Sequence, residues 1–67
     1  MEWVKVRDEY RSYDGCAGLK VFKDEMTNSW GASVFISGDR YGEANACGLR
    51  DEAHAKSVAE ALAGLLR

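Results

Sequence analysis

Proline is absent from the 67 residues of this chain, and cysteine, histidine and long apolar segments are scarce. Without proline, neither proline-kinked helices nor cis-proline turns arise. No apolar stretch reaches the roughly 18 residues needed to cross a bilayer, so we expect no membrane partner. The start, Met1 to Lys5, lacks the basic segment and apolar core of a secretory signal. These absences predict a cytoplasmic protein.

The two cysteines and the single histidine make a metal site an unfavourable interpretation. Cys16, Cys47 and His54 would need a fourth ligand, and there is no Cys-x-x-Cys pair. In a reducing cytosol both cysteines are expected to be small buried side chains, although the sequence leaves open whether they pair. We therefore expect no metal and no cofactor.

Catalytic patterns are also missing from the sequence. His54 is expected on the rim of a helix or in the core, and no serine stands in a nucleophile-elbow context. Acidic residues occur as neighbours, such as Asp24-Glu25, which is typical of solvated turns. The Gly15 to Gly18 segment is not part of the strand-loop-helix unit that binds phosphate. The sequence therefore predicts a protein that is not an enzyme.

Composition fits one small folded domain spanning residues 1-67. The apolar fraction is 46%, as in ordinary globular proteins, and a chain of this length lies near the lower limit for a hydrophobic core. Nine basic and eleven acidic side chains give a net charge of −2. This balance neither attracts nucleic acid strongly nor imitates it, so any electrostatic function depends on how charges are divided between faces.

Alternating patterns predict the strands. Segments 2–7, 19–23 and 30–37 alternate clearly, and a weaker return strand is expected from about Tyr41 to Cys47. Ser37-Gly38-Asp39-Arg40 has the composition of a hairpin turn. Residues 8–18 are expected to be either a long connection or a ragged continuation of the first strand.

The period changes to helical from about Arg50. An apolar stripe at spacings of three and four consists of Ala55, Val58, Ala59, Leu62, Leu65 and Leu66. Glu52 and Lys56 form a favourable four-residue pair, and Arg67 suits the helix end. The N-cap is predicted at either Asp51 or Gly48.

The resulting fold class is α+β: a small antiparallel sheet of three to four strands with one C-terminal helix on one face, in the order β-β-β-β-α. When the apolar sides of the strands are matched to the apolar stripe of the helix, seven strand residues are predicted to form the core beneath the helix: Val4, Val6, Leu19, Val21, Ala32, Val34 and Ile36. The uncovered face would then carry Trp3, Lys5, Arg7, Lys20, Phe22 and Phe35.

Those six residues are the candidate binding site, because they mix aromatic rings with basic side chains on an uncovered surface. Large rigid side chains commonly anchor protein interfaces, and exposed apolar patches commonly mark them. A protein partner is the favoured interpretation and a homodimer seam is another. The same residues could bind nucleic acid, or could be cross-strand pairs with lysine stems lying over rings.

Part of the chain resembles the second half of double-stranded RNA-binding domains. The resemblance covers about Trp30 to Leu66 and is carried by Gly42-Glu43-Ala44, by residues 51–56 and by Ala59-Glu60-Ala61-Leu62. It implies a strand, a Gly-Glu turn and an alanine-rich helix.

A second resemblance is to the DNA-binding domains of AP2 factors and the arm-binding modules of tyrosine integrases. Trp30-Gly31-Ala32-Ser33-Val34 and Asp51-Glu52-Ala53 are similar to their strand and helix. It implies DNA contacts from Lys5, Arg7 and Lys20. In size and acidity the chain also resembles small phage-encoded inhibitors of the anti-CRISPR type, which implies that it blocks a host protein machine by occupying a surface.

Overall fold

The computed structural model describes residues 2–37 and 42–66, apart from the side chain of Asp14. The turn predicted at Gly38, Asp39 and Arg40, the strand start predicted at Tyr41 and the helix-end Arg67 lie outside these residues.

The described residues form an α+β domain with five antiparallel strands followed by one helix. Neighbours in sequence are neighbours in the sheet, in the order β1-β2-β3-β4-β5. The elements are β1 (Val4–Val6), β2 (Glu9–Asp14), β3 (Ala17–Asp24), β4 (Ser29–Ile36), β5 (Gly42–Leu49) and α1 (Glu52–Leu66). The expected α+β class and C-terminal helix are confirmed, whereas the sheet has one strand more than the upper expectation of four.

The additional strand is β2, which lies in the segment interpreted as a connection or a ragged strand. Tyr10 and Ser12 alternate with Arg11 and Tyr13, so neither side of this strand is uniformly apolar. Its register is nevertheless definite, since Tyr10 lies opposite Val21 and Ser12 lies opposite Leu19. Both β2 residues therefore share the helix side of the sheet with the core.

The predicted phase of β1 is wrong. Lys5 lies opposite Tyr10, so Trp3 and Lys5 are on the helix side, while Val4 and Val6 are on the other face and exposed. A shift of one residue exchanges the two faces of a strand. Burying the larger Trp3 beside the helix removes more apolar area from water than burying a valine would, and this favours the observed phase.

The helix begins at an N-cap formed by Asp51, the first of the two alternatives. The Asp51 Oδ1 atom accepts the backbone N–H of His54 at 2.8 Å, and the Asp51 carbonyl accepts that of Ala55. Gly48 instead lies at a bulge near the end of β5 and has a φ of 70°. The predicted Glu52–Lys56 pair is confirmed at 3.0 Å.

Alanines, rather than leucines, form the underside of the helix. Ala55, Ala59 and Ala63 are completely or almost completely buried, whereas Leu65 is 81% exposed. Small side chains let the helix approach β3 and β4 closely, against a core of Ala17, Leu19, Val21, Ala32 and Val34. Leu62 and Leu66 pack at the margin of this core, as does Ile36.

Cys16 and Cys47 are unpaired and exposed, so the prediction that both are buried is wrong. Cys16 lies in the turn between β2 and β3, and Cys47 lies at the bulge in β5. Neither position faces the alanine-lined core.

Candidate binding surface

The side of the sheet turned away from the helix is the candidate surface, and we call it the open face. Cross-strand register defines three rows on it. The central row is polar apart from Val4 and contains Arg11, Lys20, Ser33 and Asn45. The outer rows are Val6, Glu9, Phe22 and Gly31 on one side, and Tyr13, Gly18, Phe35 and Glu43 on the other.

Two phenylalanines on the open face each lie over a glycine on the neighbouring strand. A Cβ added at Gly18 would clash with the Phe35 ring, and one added at Gly31 would come within 2.6 Å of the Phe22 ring. Both glycines are buried although no helix covers them. The rings therefore shield backbone that glycine would leave open to water, an arrangement that stabilises sheets.

The basic side chains of the open face are already engaged by neighbouring residues. The Lys20 Nζ atom lies 5.5 Å from the centroid of the Phe22 ring. Arg11 Nε donates a hydrogen bond to Glu9 Oε2 at 2.7 Å, and this contact raises the pKa of Arg11. The three rows hold two cations, Arg11 and Lys20, and two anions, Glu9 and Glu43. Glu2 borders the depression beside Val4, so the described face has no excess of positive charge.

Tyr13 stands between two open depressions and is 70% exposed. One depression, of about 190 Å³, is bordered by Arg11, Lys20, Ser33 and Phe35. The other, of about 380 Å³, is bordered by Val4, Val6 and Arg11. The tyrosine thus presents an apolar ring with a polar tip between the two depressions.

Three of the six predicted site residues share the open face, namely Lys20, Phe22 and Phe35. Trp3 and Lys5 lie on the helix side, and Arg7 lies in the β1–β2 turn with a φ of 58°. The predicted grouping of three cations with three rings is therefore wrong. The wrong phase of β1 accounts for the misplacement of Trp3 and Lys5.

Trp3 belongs instead to a structural cluster that ties β1 and β2 to the helix. Its Nε1 atom donates to Glu60 Oε2 at 3.4 Å, while Lys56 Nζ lies 4.3 Å from the Tyr10 ring centroid. The pKa of Glu52 is lowered, first by its hydrogen bond with Lys56 and then by its hydrogen bond with Tyr10. The hydrogen bond between Tyr10 and Glu52 raises the pKa of Tyr10.

Sequence reasoning missed Tyr13, Arg11 and the two valines as open-face residues. A signal of composition was present, since two tyrosines lie within Glu9 to Tyr13 and tyrosine is enriched in strands. Tyr10 and Tyr13 fall on opposite faces, so this segment has no two-residue period. Recognising β2 would also have fixed the phase of β1, because the two strands are joined by a two-residue turn.

The ionisable residues of the described ranges do not gather into a metal site: no group of three or more His, Cys, Asp or Glu side chains is arranged to hold an ion. His54 is at the helix start, where its Nδ1 atom accepts the backbone N–H of Arg50 at 3.2 Å. Over residues 2–37 and 42–66, no helix has both the length and the apolar character needed to cross a membrane.

Comparisons with protein families, with curated proteins and with solved structures found no match to this chain. The resemblances to double-stranded RNA-binding domains, to AP2 and integrase modules and to phage inhibitors therefore stay predictions.

Proposed function

We propose that the chain is a non-catalytic binding protein that covers part of another protein's surface with its open face. Such occupancy can inhibit a larger partner, which is the mode of action expected from the likeness to small phage-encoded inhibitors. The observation that carries the proposal is the concentration of exposed apolar groups on one face. Of the six large apolar side chains exposed in the described residues, four lie there: Val4, Val6, Tyr13 and Phe35.

Charge supports a protein partner over nucleic acid. Counterion release requires several cations free to meet phosphates. On the open face Arg11 is paired with Glu9, and Lys20 lies against the Phe22 ring. Lys5 and Arg7, which would have enlarged the basic surface, are elsewhere. A surface without excess positive charge that exposes a tyrosine fits a protein partner better than a phosphate backbone, because tyrosine is enriched in protein interfaces.

The test uses a pair of variants at exposed positions. Tyr13→Ser combined with Val4→Ser removes apolar groups from the open face, whereas Met26→Ser alters the β3–β4 turn, where Met26 is 96% exposed. In affinity capture from a host lysate, we expect one partner to be retained by the wild type and by Met26→Ser. The double variant should bind that partner at least about thirtyfold more weakly, as for an interface hot spot. Equal binding by all three proteins would contradict the proposal.

Nucleic-acid binding is tested separately by fluorescence anisotropy with duplex DNA and duplex RNA at low salt. We expect no complex tighter than about 10 μM, because so few cations are available. Tighter binding that collapses with added salt would instead favour the nucleic-acid function.

A further inference from the structure

The outer edge of β5 and the adjacent side of the helix form a second surface, distinct from the open face. Strand β5 is at the end of the sheet, and within the described part of the chain no strand pairs with its outer edge. An unpaired edge offers a row of backbone N–H and C=O groups to another strand. The bulge near Cys47 and Gly48 interrupts one end, so the regular part of this edge is residues 42–46.

The helix has two unlike flanks. Glu52, Lys56 and Glu60 lie on the flank directed towards β2, where they contact Tyr10 and Trp3. At 100° per residue, the opposite flank, directed towards β5, carries Val58, Leu62 and Leu65. Contact between the Leu66 side chain and Gly42 places the end of the helix above the start of β5. The flank of the helix on the β5 side is therefore apolar, with Val58 and Leu62 partly buried and Leu65 exposed.

We propose that this edge and flank bind a second copy of the chain, forming a symmetric dimer with a continuous ten-stranded sheet. A strand edge pairs with its own copy antiparallel about a two-fold axis. An axis at Ala44 sets Glu43, the sole charged residue of β5, opposite Asn45 rather than opposite its own copy. The same axis brings the C-terminal halves of the two helices together.

A second copy matches this surface better than a single extended peptide. A peptide would satisfy the backbone edge but would leave Leu65, which is 81% exposed, uncovered beside it. Another copy covers both elements, because its β5 pairs with β5 and its helix flank packs against the helix flank. A small core also favours further burial by association. Five of the eight buried apolar core residues of the described chain are alanines, and the other three are Leu19, Val21 and Val34.

The test compares two lysine substitutions one residue apart. Leu65→Lys places a charge on the apolar flank, while Gly64→Lys places the same charge on the side turned away from β5. Both positions are exposed, so neither variant is expected to disturb folding. In sedimentation equilibrium from about 5 to about 500 μM, we expect the wild type to show a micromolar dimer, since a regular edge of five residues makes a small interface. Leu65→Lys should weaken this dimer at least tenfold, and Gly64→Lys less than twofold.

Hydrogen exchange identifies the interface directly. On raising the protein concentration, amide protection should increase within residues 42–46. A wild type that stays monomeric throughout the range, equal weakening by both lysines, or protection confined to Tyr13 and Phe35 would each overturn the proposal. None of these results bears on capture of a different protein by the open face.

Discussion

At the scale of single residues, Phe35 combines two roles. Its ring shields Gly18, and the residue is still 42% exposed and available to a partner. The Phe22–Gly31 pair repeats the arrangement on the opposite row of the open face. Stability and binding therefore have to be measured separately for these rings, whereas Tyr13 reports mainly on binding.

Replacing Phe35 with alanine should lower the free energy of unfolding by about 1 to 2 kcal/mol. This is less than the roughly 3 to 5 kcal/mol typical of a fully buried phenylalanine, because part of the ring is exposed. Urea denaturation followed by circular dichroism measures the change. Tyr13→Ala, at a 70% exposed position, should change stability by less than about 0.5 kcal/mol. If both variants lose equal stability, Phe35 has no special role in shielding Gly18.

Glu52 should contribute to the loss of stability in acid. Hydrogen bonds from Lys56 and Tyr10 lower its pKa in the folded state. A lowered folded-state pKa means that the contribution is present above the unfolded-state pKa of glutamate, about 4.3, and is lost as the pH falls through the lower folded value. The free energy of unfolding of Glu52→Gln should therefore fall less than that of the wild type as the pH is lowered through this range. Denaturation curves measured at successive pH values give both free energies.

The control for this experiment is Glu25→Gln, which removes a carboxylate from the exposed β3–β4 turn. It should leave the acid dependence close to that of the wild type. An acid profile that is the same for Glu52→Gln and the wild type would mean that the contacts with Lys56 and Tyr10 add nothing to stability.

At the scale of elements, the start of the helix depends on one carboxylate. Asp51 accepts the N–H of His54, and alanine at this position would leave that donor without its side-chain partner. Asp51→Ala should cost about 1 kcal/mol of unfolding free energy, while Asp51→Ser should retain most of it, because a hydroxyl can also cap. Thermal unfolding by circular dichroism provides the comparison. Equal losses in the two variants would show that capping is not the cause.

The elements with a clear periodicity were predictable from sequence, and the mixed ones were not. Helix α1 and strands β3 and β4 follow their apolar patterns, which a core on one side imposes. Strand β2 has polar and aromatic side chains on both sides, so its pattern does not identify a buried face. The helix was predicted at the right place in the chain, but the centre of its buried face was not. Ala59 is buried there and Leu65 is exposed, because small side chains allow a close approach to the sheet.

At the scale of the whole molecule, the candidate surface was predictable only on β3 and β4, the strands with the clearest apolar patterns. Lys20, Phe22 and Phe35 come from the two central strands and lie where expected. Residues at the edge depend on how strands pair, and pairing is a property of the fold rather than of a local segment. The misplaced Trp3 illustrates this, since its partners are Glu60 and Lys56, more than fifty residues away.

Local stability should decrease from the central strands towards β1. Strands β3 and β4 are paired on both sides and hold Leu19 and Val34 in the core. Strand β1 has three residues and exposes Val4, and β2 is its one neighbour among the described strands. Segments with little buried apolar area open without global unfolding. We expect amides in β1 to exchange with solvent at least about 100-fold faster than the slowest amides of β3 and β4, as measured by hydrogen-exchange NMR. Equal protection in β1 would show that the contacts of Trp3 with the helix make β1 part of the same cooperative unit, and the open face would then be rigid to its edge.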